Sequence, residues 1–146
     1  MGVVNRFVLG VVWVGMTVAI AGVAFAGDLK SPDSIRAAWR KLVAEYADMG
    51  RKVVAERYDR LPHDDQEFQE ESAALRVAIA NEPADFRTSV ESGIARALTA
   101  STHLAEVSAT HDQKQVQSAL DDLANSLQSL NALFPPSVRL ESIGPN

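Results

Sequence analysis

The chain has 146 residues, a formal net charge of −5 and no cysteine. Its 19 acidic side chains outnumber 14 basic ones, which argues against a nucleic-acid-binding protein, because such proteins need a clustered basic face. Without a thiol the sequence excludes disulfides, cysteine zinc sites, thiolate nucleophiles and covalent haem attachment. Packing alone must therefore hold the fold together.

The first predicted element is a secretory signal peptide over residues 1–26. Arg6 precedes an apolar run from Phe7 to Phe25, and Ala24-Phe25-Ala26 has the small-x-small pattern of a cleavage site. Cleavage after Ala26 leaves an exported, periplasmic or secreted protein of about 120 residues, with a net charge of about −6 and no membrane span. The alternative is an uncleaved anchor, because the run is about long enough to cross a bilayer. No cysteine follows the run, so a lipoprotein is excluded.

Two helices are predicted next. The first has Ser31 as its cap and Pro32 at its first position, and it extends to about Arg60. The second is capped by Asp64, with Glu67 in a capping-box position. Apolar residues at helical spacing predict their buried faces: Ile35, Trp39, Leu42, Tyr46, Met49 and Val53 form a heptad seam on the first helix, and Phe68, Leu75 and Ile79 mark the second.

Two further helices follow. The third begins near Pro83 and ends before the polar turn from Ser108 to Asp112, and its surface is rich in small side chains. The fourth is capped by Thr110 or Asp112 and terminated by Pro135-Pro136. Its residues repeat the heptad spacing of the first helix: Val116, Leu120, Leu123, Leu127, Leu130 and Phe134.

These elements predict an all-α fold. Four amphipathic helices with short connections indicate an antiparallel four-helix bundle over residues 27–136. Residues 137–146 are expected to form a flexible C-terminal tail.

The fourth helix resembles the last helix of the cytochrome c′ class of exported four-helix bundles. The segment from Ser126 to Pro135 occupies the place of that family's Cys-x-x-Cys-His haem box. One register puts Ser126 and Ser129 at the cysteines and Leu130 at the histidine. Shifting by one aligns Phe134 with the family's aromatic residue and fills the same three places with the following residues: Leu127, Leu130 and Asn131.

The resemblance implies a cytochrome c′-like bundle that has lost covalent haem, so the family's electron transfer and gas binding do not carry over. Met49, in Tyr46-Ala47-Asp48-Met49, stands where low-spin members supply an axial ligand. By similarity to b-type bundle cytochromes, an alternative is a non-covalent haem b with Met49 as its ligand. No cofactor is the first expectation, since a methionine in a heptad seam is usually core.

An acidic cluster around His63 offers a candidate divalent-metal site. His63, Asp64 and Glu67 lie together at the predicted start of the second helix, and imidazole and carboxylate groups are metal ligands. The competing interpretation is that acidic side chains at a helix N-terminus oppose the helix dipole.

We therefore expect a non-enzymatic binding or interaction module, because the sequence contains no recognisable catalytic motif. Its partner is expected to be an envelope protein or a small apolar ligand, and homodimerisation is left open. Electron transfer through non-covalent haem and weak divalent-metal binding are the alternatives.

The leader generates the first testable prediction. N-terminal sequencing of the exported protein should begin at Gly27, because the small-x-small site precedes a polar stretch. An intact Met1 on a membrane-embedded product would contradict this prediction.

Overall fold

The computed structural model describes residues 24–144, so most of the predicted leader and the last two residues lie outside the described part. Within residues 24–144 the chain is all-helical and contains no strand. Four α-helices are joined by short connections, one of which contains a 3₁₀ helix over Tyr58–Arg60. The α-helices are α1 (Pro32–Val54), α2 (Leu61–Ile79), α3 (Ala84–Ser108) and α4 (Gln113–Leu133). The predicted all-α class is confirmed.

The hydrophobic core runs along the middle of the four helices. α2 and α4 each contact both α1 and α3. Every residue of the two heptad seams on α1 and α4 is buried, and so are the predicted core positions of α2. Gly93 of α3 faces Leu130 of α4 so closely that a Cβ there would lie 2.7 Å from Leu130 Cδ1. Because glycine has no side chain, α3 and α4 can approach closely at this position.

α1 ends at Val54, six residues before the predicted end at Arg60. The Glu56 N–H donates to the Val53 carbonyl and the Arg57 N–H donates to the Lys52 carbonyl. This pairing is a Schellman motif, which terminates a helix with one residue in the left-handed conformation. Glu56 holds that place with φ 55°. Because the position usually belongs to glycine, nothing in the local sequence marked the stop.

α2 begins three residues before the predicted cap. Leu61 is its first residue, with a proline in its first turn, where a missing N–H costs nothing. Asp64 therefore lies inside the helix and cannot be its cap. Its side chain is completely buried, which corrects the predicted capping box.

The start of α1 is stabilised from another loop. Ser31 is the N-cap residue by position, but its side chain makes no capping hydrogen bond. The buried carboxylate of Glu82, in the α2–α3 connection, instead accepts from the N–H groups of Lys30 and Ser31 at 2.8 and 2.9 Å. A charged acceptor at a helix N-terminus also opposes the helix dipole.

The segment after α4 is packed where a flexible tail was predicted. Val138 is fully buried. The side-chain oxygen of Asn131 accepts from the Leu140 N–H at 3.0 Å, and its amide nitrogen donates to the Leu140 carbonyl at 2.9 Å. The same oxygen accepts from Trp39 Nε1 at 3.0 Å. Asn131 therefore joins α4, α1 and the C-terminal segment, and it holds that segment against the helices at Leu140.

Within residues 24–144, no helix combines the length and the apolar character needed to cross a membrane.

The Schellman motif gives a stability prediction. Glu56→Gly should raise the free energy of unfolding by about 0.5–1 kcal/mol, because glycine adopts a positive φ without strain. Ala55→Gly is the matched control, since Ala55 has φ −84° and glycine there should destabilise by about 0.5–1 kcal/mol. Urea unfolding of both variants measures the difference. Equal destabilisation by the two glycines would show that Glu56 is not strained.

Candidate functional site

Two open grooves run along the exposed side of α3. One, of about 550 Å³, lies between α2 and α3, and the other, of about 580 Å³, lies between α3 and α4. Thr99 and His103 border both grooves. The remaining lining residues are Gln69, Leu98, Thr102 and Glu106 in the first groove, and Ser92, Ala95, Arg96, Ala100, Asp122 and Ser126 in the second. α3 is therefore the shared wall of a surface with small side chains and both signs of charge.

A cluster of buried polar side chains lies beneath the first groove, between α2 and α3. The Asp65 carboxylate accepts a hydrogen bond from Ser101 Oγ at 2.6 Å and from Gln69 Nε2 at 2.9 Å. Asp65 is only 7% exposed and Ser101 is fully buried. Because a buried carboxylate needs hydrogen-bond donors, this pair fixes α3 against α2. This contact was not predictable from the sequence, because the two residues are 36 positions apart.

A second charged cluster joins α1 to α2. Lys52 Nζ donates to the carboxylate of Asp64 and, at 2.6 Å, to that of Asp48. Asp48 also pairs with the exposed Arg51 at 2.9 Å. Asp48 thus forms local ion pairs with Arg51 and Lys52 on α1, but the contact that reaches into the interior is the pair of Lys52 with Asp64 of α2.

The charges in and around this cluster shift the pKa values of three side chains, Glu45, Asp48 and Lys52. The hydrogen bond from Lys52 lowers the pKa of Asp48, against a smaller opposing effect of burial. Burial alone would lower the pKa of Lys52, but the two carboxylates outweigh it and raise the pKa above its ordinary value. Burial, followed by the negative charges of Glu67 and Asp48, raises the pKa of Glu45. Lys52 is therefore held as a cation among acidic groups.

The candidate metal ligands are separated by this pairing. His63 Nε2 lies 3.6 Å from Glu67 Oε1 on the surface of α2, whereas Asp64 is turned inward to Lys52. In the described residues, no group of three or more His, Asp or Glu side chains is arranged to hold a metal ion. The helix brings two of the three predicted ligands together and directs the third into the interior.

The region of the predicted haem site is filled by side chains. Met49 is fully buried in the core. The Trp39 and Phe134 rings pack with their centroids 5.3 Å apart, and both polar atoms of Asn131 are engaged by Trp39 and Leu140. Met49 lies ten residues from Trp39 along α1, about 15 Å, so a haem ligated by Met49 would not lie against Asn131 and Phe134 at the end of α4. The residues present therefore do not fit that group.

Comparison of the chain with models of known protein families, with characterised proteins and with solved structures gave no match.

The Lys52 cluster yields a second stability prediction. Lys52→Met should lower the free energy of unfolding by about 3–5 kcal/mol near neutral pH, because it leaves Asp64 buried without its cation. Arg51→Met is the control, and it should cost less than about 1 kcal/mol because its pair is exposed. Chemical denaturation of the three proteins gives these values.

The difference in the free energy of unfolding between the original protein and Lys52→Met should change with pH in a defined direction. The pKa of Asp48 is lower in the folded protein than in the unfolded chain. This difference stabilises the folded state at any pH above the ordinary pKa of an aspartate, and the stabilisation is lost as the pH falls through the pKa of Asp48 in the folded protein. The gap between the original protein and Lys52→Met should therefore narrow below about pH 4. A gap that is constant from pH 7 to pH 3 would contradict the assigned pairing.

Proposed function

We propose that this chain is an exported, non-enzymatic binding protein. In this proposal the signal peptide is removed after Ala26, and the remaining chain forms an antiparallel four-helix bundle in the periplasm or outside the cell. Short connections at residues 80–83 and 109–112 join helices that contact one another, which supports the antiparallel order. The partner is another envelope protein, bound along α3.

The pair of grooves on α3 is the observation that carries this proposal. They flank one helix and share Thr99 and His103, so a partner chain lying on α3 can enter both. Arg96, Glu106 and Asp122 place charges of both signs around small side chains. Such complementary charges at an interface rim favour one partner orientation over others.

A protein partner fits these grooves better than a small apolar ligand. Sites for small molecules are concave and enclose most of the ligand surface, with mainly apolar linings. Here the grooves are open rather than enclosing, and hydroxyl, amide and charged groups stand among the apolar atoms of their linings. Open, mixed surfaces of this kind are typical of the contact faces between proteins.

We retain the cytochrome c′-like ancestry as part of the proposal. The four-helix layout and the two heptad seams support it, and the packing of Trp39, Phe134 and Asn131 supports a bundle whose haem region has been filled.

Site-specific cross-linking tests the proposed face. A photoreactive amino acid at Thr99, in the full chain expressed in its native envelope, should give one discrete adduct with a second protein. The same group at Lys41, an exposed residue of α1, should not. Ala95→Arg fills one groove and should reduce the Thr99 adduct at least tenfold, whereas Thr88→Arg, exposed on α3 but outside both grooves, should not.

A folding control and two outcomes determine whether the proposed α3 face is correct. Circular dichroism must show equal helicity in the two arginine variants. Equal adducts from Thr99 and Lys41, or an adduct insensitive to Ala95→Arg, would overturn the assignment of the α3 face.

A further inference from the structure

The residues just before the predicted cleavage point are seated on the helices. The Phe25 N–H donates to the carbonyl of Leu133, at the end of α4, at 3.3 Å. The Phe25 ring packs on Phe86, near the start of α3, with centroids 5.1 Å apart. A groove of about 340 Å³ remains open beside the ring, and Phe25 forms part of its wall. Its other lining residues are Ala24, Ala26, Asp85, Phe86, Ser89 and Leu133.

Phe25 is the outermost of four rings that lead into the core. Phe86 lies 6.1 Å from Phe134, which lies 5.3 Å from Trp39. Phe86 is only 2% exposed, and Phe134 and Trp39 are fully buried. Offset and tilted aromatic pairs at these distances attract one another beyond the area they bury. The ring of Phe25 therefore completes an aromatic series that the helices already contain.

The chain turns sharply to reach this position. A Cβ on Gly27 would lie 2.5 Å from Cζ of Phe25 and 2.7 Å from its Cε1. The ring thus folds back over the backbone of Gly27, at the bond where cleavage is predicted. Phe25 is held by a backbone hydrogen bond and by ring packing, as a bound peptide side chain would be.

We propose that the groove formed by Asp85, Phe86, Ser89 and Leu133 is a binding site for an aromatic residue in an extended peptide, and that Phe25 is its occupant before the leader is removed. This inference rests on the proposed export and cleavage after Ala26. Cleavage removes the ring that covers Phe86 and the donor bound to the Leu133 carbonyl. The fully buried core residues, which lie between Ile35 and Val138, all remain in the cleaved chain, and Phe86 is the core residue that loses its cover.

The chemistry of the groove selects this class of ligand. Phe86 offers an aromatic surface, and the Leu133 carbonyl offers an acceptor for a peptide N–H. A peptide with small residues beside its aromatic side chain supplies both, as Ala24-Phe25-Ala26 does. A hydrocarbon chain supplies no donor, so a lipid tail matches only half of the site. Asp85 at the rim adds a negative charge that disfavours acidic peptides.

Titration followed by nuclear magnetic resonance tests the site. The protein used begins at Gly27, and the probe is the blocked peptide Ala-Gly-Val-Ala-Phe-Ala, the sequence of residues 21–26. We expect saturable shifts at Phe86, Ser89 and Leu133, with a Kd below about 1 mM. A peptide with Phe25→Ala should bind at least about tenfold more weakly, because the ring supplies most of the buried apolar area.

Matched variants locate the binding. Ser89→Arg should abolish the shifts by filling the groove, whereas Thr88→Arg, also exposed but not lining the groove, should leave them unchanged. No saturable shift, equal binding of the Phe25→Ala peptide, or shifts away from α3 and α4 would overturn the proposal. Concentration-dependent shifts without peptide, lost in Ser89→Arg, would also overturn it by showing a second copy of the chain in the groove.

N-terminal sequencing separates this inference from the proposed function. A native protein that begins at Gly27 but does not bind the peptide removes the binding site and leaves export and cleavage standing. A native protein that keeps Phe25 has its groove filled permanently, and it overturns both proposals even if the truncated protein binds peptide.

Discussion

Burial of an apolar stripe on each of four helices is the interaction on which the rest of this structure depends. The chain has no cysteine to close a loop covalently, so the loss of conformational entropy on folding is offset chiefly by removing apolar surface from water. The seams on α1 and α4 lie wholly inside the hydrophobic core, with Trp39, Met49 and Leu127 fully buried. Close packing of these residues leaves the grooves at the surface, which is where binding is proposed.

Polar side chains then fix the ends and the order of the helices. Glu82 ties the start of α1 to the α2–α3 connection, Asn131 ties α4 to the C-terminal segment, and Lys52 ties α1 to Asp64 of α2. Each contact satisfies a buried or half-buried polar group whose desolvation would otherwise oppose folding. Apolar packing is largely non-directional and does not by itself select one arrangement of the helices. A few long-range hydrogen bonds and ion pairs therefore specify how the helices are placed.

The helices were predictable because their signal is local and repeated. The spacing of apolar residues located both seams, and Asp112 caps α4 as expected, accepting from the N–H groups of Lys114 and Gln115. The errors arose where long-range contacts or backbone strain overrode local signals. Glu56 ends α1 in a conformation typical of glycine, and Asp64, which has the side chain of a good cap, is instead buried by its pair with a lysine 12 residues earlier.

The candidate site was less predictable than the fold. The small residues of α3 were visible in the sequence, but grooves arise from how neighbouring helices lie beside them, which periodicity does not encode. The partners of Asp65 and Asn131 lie on other elements, so no spacing rule relates them. The contacts of Phe25 were not predicted for a different reason, because a residue in a signal-peptide pattern is normally excluded from the folded domain.

The packing of the C-terminal segment has a consequence for how the chain is made. Val138 belongs to the core, and Leu140 completes the hydrogen bonding of Asn131 beside Trp39. Chains are synthesised, and in the proposed pathway exported, from the N-terminus. The helices can associate early, but the interior around Trp39 closes only after Leu140 has emerged. A ribosome or translocase that still holds the segment around Leu140 therefore keeps this end of the protein open.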